Sequence, residues 1–311
     1  MKVSVCIPTF KYGRFIAETI ESILCQTCTD FELLIIDDNS PDDTADIVSR
    51  YAQQDARIRF SVNPENLGMV KNWNYCLSQA RGDYIKFVFG DDLLAAPDAL
   101  NRMVSRLDSD QTISLVASAR YLIDERSAVL SELSGFSKDC TLSGPDVINY
   151  CLSRQKNLIG EPSVTMFRRN QATRGFNENY QQIVDLEMWF HLLEQGRFSY
   201  ISDRLCSFRV HQKQQTARNN QNLGDINDVP HLLEDYAEKP YITLSYFMKA
   251  YLCYDHLHGI WKRSQHDQSR QQAVRTLISD QWGLVAFWGW YPMYKVFKPF
   301  LKLYKMLIQP M

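Results

Sequence analysis

Two apolar runs in this chain each end in a pair of carboxylates: Phe31 to Ile36 is followed by Asp37-Asp38, and Tyr84 to Gly90 by Asp91-Asp92. The carboxyl end of a buried strand is where an open α/β sheet binds ligands. Acids delivered there suit a hard divalent cation and the diphosphate oxygens that such an ion neutralises. Adjacent strand side chains point to opposite faces, so Asp91 and Asp92 are not expected to share one ion. Asp92 reads as a loop or helix-entry cap, and Asp37 as a loop cap before the next helix. Three later segments also carry candidate groups: Gly160-Glu161-Pro162-Ser163, Ile183-Val184-Asp185-Leu186-Glu187-Met188-Trp189, and Arg209-Val210-His211. Taken alone each has a plainer reading, with Glu161 a turn acid, Asp185 a helix cap and His211 an exposed side chain beside a polar loop. Lys71 and Arg81 read as solvated helix positions.

The elements that must position these groups follow from periodicity. Short β-rich runs near 3–7, 31–36, 57–62 and 84–89 alternate with helical patterns near 14–26, 43–54 and 69–80, the alternation of a parallel sheet with crossover helices. In the first helical pattern Phe15, Ile16, Ile20, Ile23 and Leu24 form one apolar stripe. A helix from Pro97 to Leu107, strands at 113–117, 163–168 and 205–210, and a helix from Val184 to Glu194 complete a mixed second half. Residues 212–228 are polar, rich in Asn and Gln, and predict a loop that marks a boundary. Beyond it, helical patterns span 230–258 and 267–287, and Trp282 to Met311 mixes aromatic rings with Lys295, Lys298, Lys302 and Lys305. The domain organisation expected is 1–225, with halves 1–110 and 111–225, and a helical extension over 226–311.

With 45% apolar residues in 311, the chain has ample material for a core, so disorder is excluded. A formal net charge of −2 supplies no global field for nucleic acid, and no polynucleotide partner is expected. The eight cysteines are scattered, as suits a reducing compartment, and Cys25-Gln26-Thr27-Cys28 has no second CxxC at zinc-site distance. The short apolar start after Lys2 is no secretory signal, and no stretch of about 18 apolar residues predicts a spanning helix. The expectation is a cytoplasmic protein, with possible peripheral contact to the inner face of the membrane through the aromatic and basic extension.

One ordered set of segments is specific: Val5-Cys6-Ile7-Pro8-Thr9-Phe10, then Asp37-Asp38-Asn39-Ser40 with Asp43-Thr44, Asn66-Leu67-Gly68 with Asn74, and Ala80-Arg81-Gly82-Asp83-Tyr84-Ile85. Over residues 1 to 211 this set resembles the family 2 glycosyltransferases of GT-A fold. The resemblance implies a Rossmann-like, mostly parallel central sheet with flanking helices, plus the C-terminal helical extension. It implies donor binding by Pro8, Thr9, Phe10, Asp38, Asn66, Gly68 and Asp91, with Asp38 accepting a hydrogen bond from the base. Asp91 matches the last acid of the family's DxD motif and, with His211, would hold Mn2+ or Mg2+; Phe89 stands where the first acid belongs. Asp185 matches the general base, with Glu187 its fallback, and Glu161, Glu187 and Trp189 would face the acceptor. The implied reaction is an inverting, metal-dependent transfer from a UDP-linked nucleotide-sugar to a hydroxyl of a glycan or lipid-linked glycan in cell-surface polysaccharide synthesis. Two other readings are a GT-A scaffold impaired by Phe89 and a sugar-phosphate nucleotidyltransferase; the latter needs a Gly-rich loop that residues 8–13 do not provide.

Overall fold

The structure, a computed structural model, describes residues 1–211, 224–264 and 267–307. They form two compact units. The first gathers 1–147, 157–179 and 184–211; the second gathers 148–156, 180–183 and the described residues beyond 223. Segments 148–156 and 180–183 therefore group with the C-terminal helices, although the sequence reading placed them within 1–225.

The first unit is built on one sheet. Strands β1 (Val3–Thr9) and β2 (Phe31–Asp37) are buried throughout, so each is apolar almost continuously, as strands covered on both faces must be. With β3 (Ile58–Val62) and β4 (Tyr84–Phe87) they make a parallel set in the order β3-β2-β1-β4. The chain runs outward from β1 to β3 and then returns to the other side of β1. In open α/β sheets such a reversal is as a rule the place of a ligand crevice, here the carboxyl ends of β1 and β4. Helices α1 (Ile16–Leu24), α2 (Thr44–Gln54) and α3 (Met69–Gln79) make the crossovers. α1 buries Ile16, Ile20 and Ile23 in the cluster that contains Val5, Ile7, Leu33 and Ile35.

Past β4 come β5 (Leu93–Leu94), α4 (Ala99–Ser109) and β6 (Ile113–Ile123). The sheet then continues through β9 (Thr165–Arg168), antiparallel to both β4 and β6, and β10 (Arg197–Arg209), parallel to β6. β6 and β10 both exceed their expected lengths because they pair with one another from Ile113 and Arg197 to Ile123 and Arg209. Three elements in between have no counterpart in the sequence reading: β7 (Val129–Leu133), β8 (Cys140–Ser143) and α5 (Gly144–Arg154). β7 is exposed at every position, so nothing in its hydrophobic pattern announces it, and pairing with β6 defines it. α6 (Val184–Leu193) forms as expected.

In the second unit the helix Gly224–Ala237 starts inside the stretch expected to be loop; residues 212–223 lie outside the described residues. Asp228 explains part of that ordering, since its Oδ2 accepts backbone N–H bonds from Gln181, Gln182 and Ile183 at 3.0, 2.6 and 3.0 Å. The single helix expected over 230–258 is interrupted by residues 238–245, where Pro240 lacks an N–H and disfavours helix at Lys239. A helix resumes at Tyr246–Arg263, with the Ser245 hydroxyl accepting the Met248 N–H at its start. Gln268–Trp282, Leu284–Gly289 and Tyr291–Leu307 follow. Aromatic rings hold these helices together: Tyr254 lies 4.4 Å from Phe287 and 5.0 Å from Tyr294. Among the described residues, no helix is long and apolar enough to cross a membrane.

Candidate active site

At the ends of β1 and β2 the backbone is knitted by short bonds. Asp38 N–H donates to Thr9 O at 2.8 Å, Lys11 N–H to Ser40 Oγ at 2.8 Å, and Tyr12 N–H to Thr44 Oγ1 at 3.1 Å. Asp37 accepts from the Ser40 amide and hydroxyl, a loop cap as its spacing suggested, and burial pushes its carboxyl up. Asp38 is 2% exposed and accepts three bonds: Asn63 Nδ2 and Leu67 N–H to Oδ1, each at 2.8 Å, and Gly68 N–H to Oδ2 at 2.9 Å. Asn66 Nδ2 closes the same loop onto Asp38 O at 2.9 Å. Gly68 takes φ 85°, the left-handed region where a side chain is strained. Thr9 is 1% exposed, and its Oγ1 has no hydrogen-bond partner among the described residues.

At the end of β4 the two acids part company. Asp92, fully buried, accepts from the Ser163 hydroxyl and, at 2.9 Å, from the Arg209 N–H. Burial pushes its carboxyl well up, and the charge of Asp91 adds to this. Asp91 instead meets His211, with Oδ2 2.9 Å from Nε2. Arg209, also fully buried, secures the corner: its guanidinium donates to Asp91 O at 2.7 Å, Asp124 O at 2.9 Å and Glu18 Oε2 at 2.7 Å. Gly90 is required by close approach, because a Cβ there would stand 2.9 Å from Tyr12 Cδ2 and 3.1 Å from Thr9 Oγ1. Phe89, in the place of the missing acid, lies 4.8 Å from the Trp73 ring, which packs edge-on against Phe176.

The segment 157–164 ties these acids to the third. Ser163 Oγ accepts the Phe89 N–H at 3.0 Å besides donating to Asp92, and Ser163 O receives the fully buried Lys86 ammonium. Six residues earlier, Asn157 Oδ1 accepts the N–H groups of Ile159 and Gly160 at 3.0 and 2.9 Å, and its Nδ2 points at Asp185 Oδ2 at 3.4 Å. Asp185, in the first turn of α6, accepts the Leu186 N–H at 2.8 Å. Burial pushes its carboxyl up to about 7, and the charge of Glu161 adds to the rise. Glu161 pairs with Arg120, Oε2 to Nε at 2.7 Å. It raises Asp92 as well as Asp185, so one carboxylate is felt at both strand end and helix start.

Two residues expected at the acceptor are placed otherwise, and the reason is burial. Trp189 is 0% exposed, its ring near Phe167 and Phe176, and its indole N–H donates to Gly160 O at 2.9 Å. Glu187 is 2% exposed and held by both Arg174 amino groups at 2.7 Å. Trp189 is thus packed among rings and Glu187 is held in an ion pair with Arg174. Asn63, Arg120 and Asn157, which lie in no segment singled out in the sequence, and Ser163, from the segment that carries Glu161, are each hydrogen-bonded to an acid across 25 residues or more. Among the described residues no group of three His, Cys, Asp or Glu side chains could hold a metal. Asp91 and His211 together supply one oxygen and one nitrogen, a donor set suited to a cation that takes its remaining ligands from phosphate and water.

Comparison with known proteins decides the family. The model described as Glycosyl transferase family 2 matches residues 4–175. The chain belongs to glycosyltransferase family 2. This family 2 member is 31% identical over 225 residues to the uncharacterized protein MT1568 of Mycobacterium tuberculosis, covering 70% of this chain and 69% of that protein. It is 30% identical over 213 residues to the chondroitin synthase of Escherichia coli, 67% of this chain but only 29% of the synthase. Among solved structures, S. aureus TarS residues 1–349 in complex with UDP-GlcNAc gives a TM-score of 0.67 at 19% identity, covering 88% of this chain and 79% of that one. The mannosyltransferase PcManGT of Pyrobaculum calidifontis, in complex with GDP-Man and Mn2+, gives 0.61 at 17% identity, covering 98% and 83%. The fold is GT-A, with a helical region added after the sheet.

Proposed function

We propose that this glycosyltransferase moves a sugar, with inversion, from a UDP-linked donor to a hydroxyl of a glycan or lipid-linked glycan in cell-surface polysaccharide synthesis. The observation that carries the reading is Asp185. Its carboxyl, raised to about 7, is a base poised near neutral pH, and segment 157–164 links it to the acids at the end of β4. In the reaction the acceptor oxygen bonds to the anomeric carbon as its proton passes to Asp185. The bond from that carbon to the diphosphate breaks, and the electron pair leaves with the nucleotide. Attack from the face opposite the leaving group inverts the centre, and no covalent enzyme intermediate forms.

The donor half of the reading uses the groups gathered at β1, β2 and β4. Asp38 has three acceptor positions filled by protein N–H groups, and a carboxylate has about four. The remaining one suits a uracil imide N–H, while the bound amides fix Asn66 and Gly68 at the rim. Thr9 Oγ1 is a buried hydroxyl suited to the same ligand, beside Pro8 and Phe10. Asp91 and His211 would hold a divalent cation, which when bound neutralises charge on the departing diphosphate. Glu161, paired with Arg120, offers an acceptor hydroxyl a hydrogen-bond partner. A uridine donor is supported by likeness to the TarS fold with its UDP-GlcNAc; the mannosyltransferase with GDP-Man makes guanosine the competitor.

The test is Asp185→Asn. Transfer is expected to fall about 10³-fold or more while calorimetric binding of the donor stays within about threefold of wild type. Turnover near the wild-type rate would remove Asp185 from the role of base. A donor panel by the same calorimetry, and the anomeric coupling of the product by NMR, decide base and stereochemistry.

A further inference from the structure

The last described helix, Tyr291–Leu307, has an apolar stripe that its own packing does not use. Met293, Val296, Phe297 and Phe300 recur at i, i+3, i+4 and i+7, so they share one face. All four are exposed, Val296 at 61% and Phe300 at 66%. The helix is instead anchored through Tyr294, 3% exposed, which stacks on Tyr251 at 5.4 Å and donates its hydroxyl to Asp255 at 2.6 Å. Of the stripe, Phe297 alone has a ring contact among the described residues, 5.1 Å from Phe247 at the stripe's margin. By helical spacing Lys295 and Lys298 stand across the helix from Met293, Val296 and Phe300, and Lys302 and Lys305 continue that row in sequence. The segment contains no acid, so a chain with net charge −2 carries four lysines on this helix, of which Lys298 lies 4.0 Å from Asp255 of a neighbouring helix.

We infer that this helix lies in the plane of an anionic lipid surface, with Met293, Val296 and Phe300 in the acyl boundary and the lysine row among the headgroups. One apolar face and one lysine face on a helix too short and too charged to span is the combination that favours the interface over the bilayer interior. Anionic lipid answers both halves of the pattern. A second copy docked stripe to stripe would cover the apolar half alone and leave the lysine rows on the far sides of the pair. The inference rests on this helix and not on the transfer chemistry, so either can fail without the other.

The full chain is floated with vesicles of phosphatidylcholine, with and without phosphatidylglycerol. It is expected to partition onto the anionic vesicles, and raising salt from about 0.1 M to about 1 M should weaken this about tenfold. Val296→Glu combined with Phe300→Glu is expected to lower the partition about a hundredfold, since two buried apolar side chains are lost. Both positions are exposed, so circular dichroism and lipid-free donor hydrolysis should not change. The inference is overturned if the wild-type chain ignores anionic vesicles, or if the double variant binds them equally well. It is also overturned if ultracentrifugation shows a dimer that the double variant splits while vesicle binding is absent; a second copy then covers the stripe.

Discussion

The ends of β2 and β4 each present two adjacent acids, yet the protein uses them differently. At β2 both carboxylates are turned inward: Asp37 caps Ser40, and Asp38 gathers the amides of Asn63, Leu67 and Gly68. At β4 only Asp92 is committed to the interior, through Ser163 and Arg209, and Asp91 meets a single histidine. An acid whose acceptor positions are filled by fixed N–H groups sets the shape of a loop. An acid with one titratable neighbour keeps capacity for a ligand. On the proposed reading the β4 end offers Asp91 to a ligand, while the β2 end is a hydrogen-bonded rim that leaves Asp38 one acceptor position, and mutation can separate the two.

The sharpest break is expected at Asp91. Asp91→Asn should lower kcat/KM about 10³-fold, measured as nucleotide release with acceptor present, with the melting temperature unchanged. Asp38→Ala should act through stability instead: it orphans three N–H groups at about 1 kcal/mol each, so urea unfolding should show a loss of about 3 kcal/mol. Equal thermal stability of these two variants would erase the distinction. At the inner acid of β4, Asp92→Asn keeps an acceptor oxygen and should cost under about 1 kcal/mol, against about 2 kcal/mol for Asp92→Ala, which strands the Arg209 N–H and the Ser163 hydroxyl.

Asp185 supplies the pH dependence. Its raised value means the base is protonated below about 7, so kcat/KM should climb about tenfold per pH unit up to that point and then level off. The stability sign is opposite. A carboxyl raised in the folded state contributes stability below its unfolded value and loses it as pH rises through about 7. Asp185→Asn should accordingly gain melting temperature over wild type at pH 8 relative to pH 5, and a constant difference between them would count against the shift.

The alternation of buried strands with amphipathic helices over residues 1–110 was legible because each element there carries its own period; β1, β2, α1 and α4 lie within a few residues of their sequence signals. The second half was less so. β7 is exposed throughout and exists only as a partner of β6, and the break at 238–245 cut a helical pattern that reads as continuous. The acids were visible as strand ends, and the family motif singled out Asp91 and Asp185. Motif proximity drew Glu187 and Trp189 toward the acceptor; their contacts with Arg174 and the Phe167 ring were not legible in it.

What the sequence determined by itself is where each strand ends and which residue types arrive there, because a period of two or of 3.6 and a closing acid are local properties. Only the tertiary structure decided which partners hold each acid. They come from far along the chain, Ser163 and Arg209 for Asp92, Gly68 for Asp38, Asn157 and Glu161 around Asp185. Hydrogen bonds of this kind depend on distances of about 3 Å between side chains that no spacing along one strand can encode.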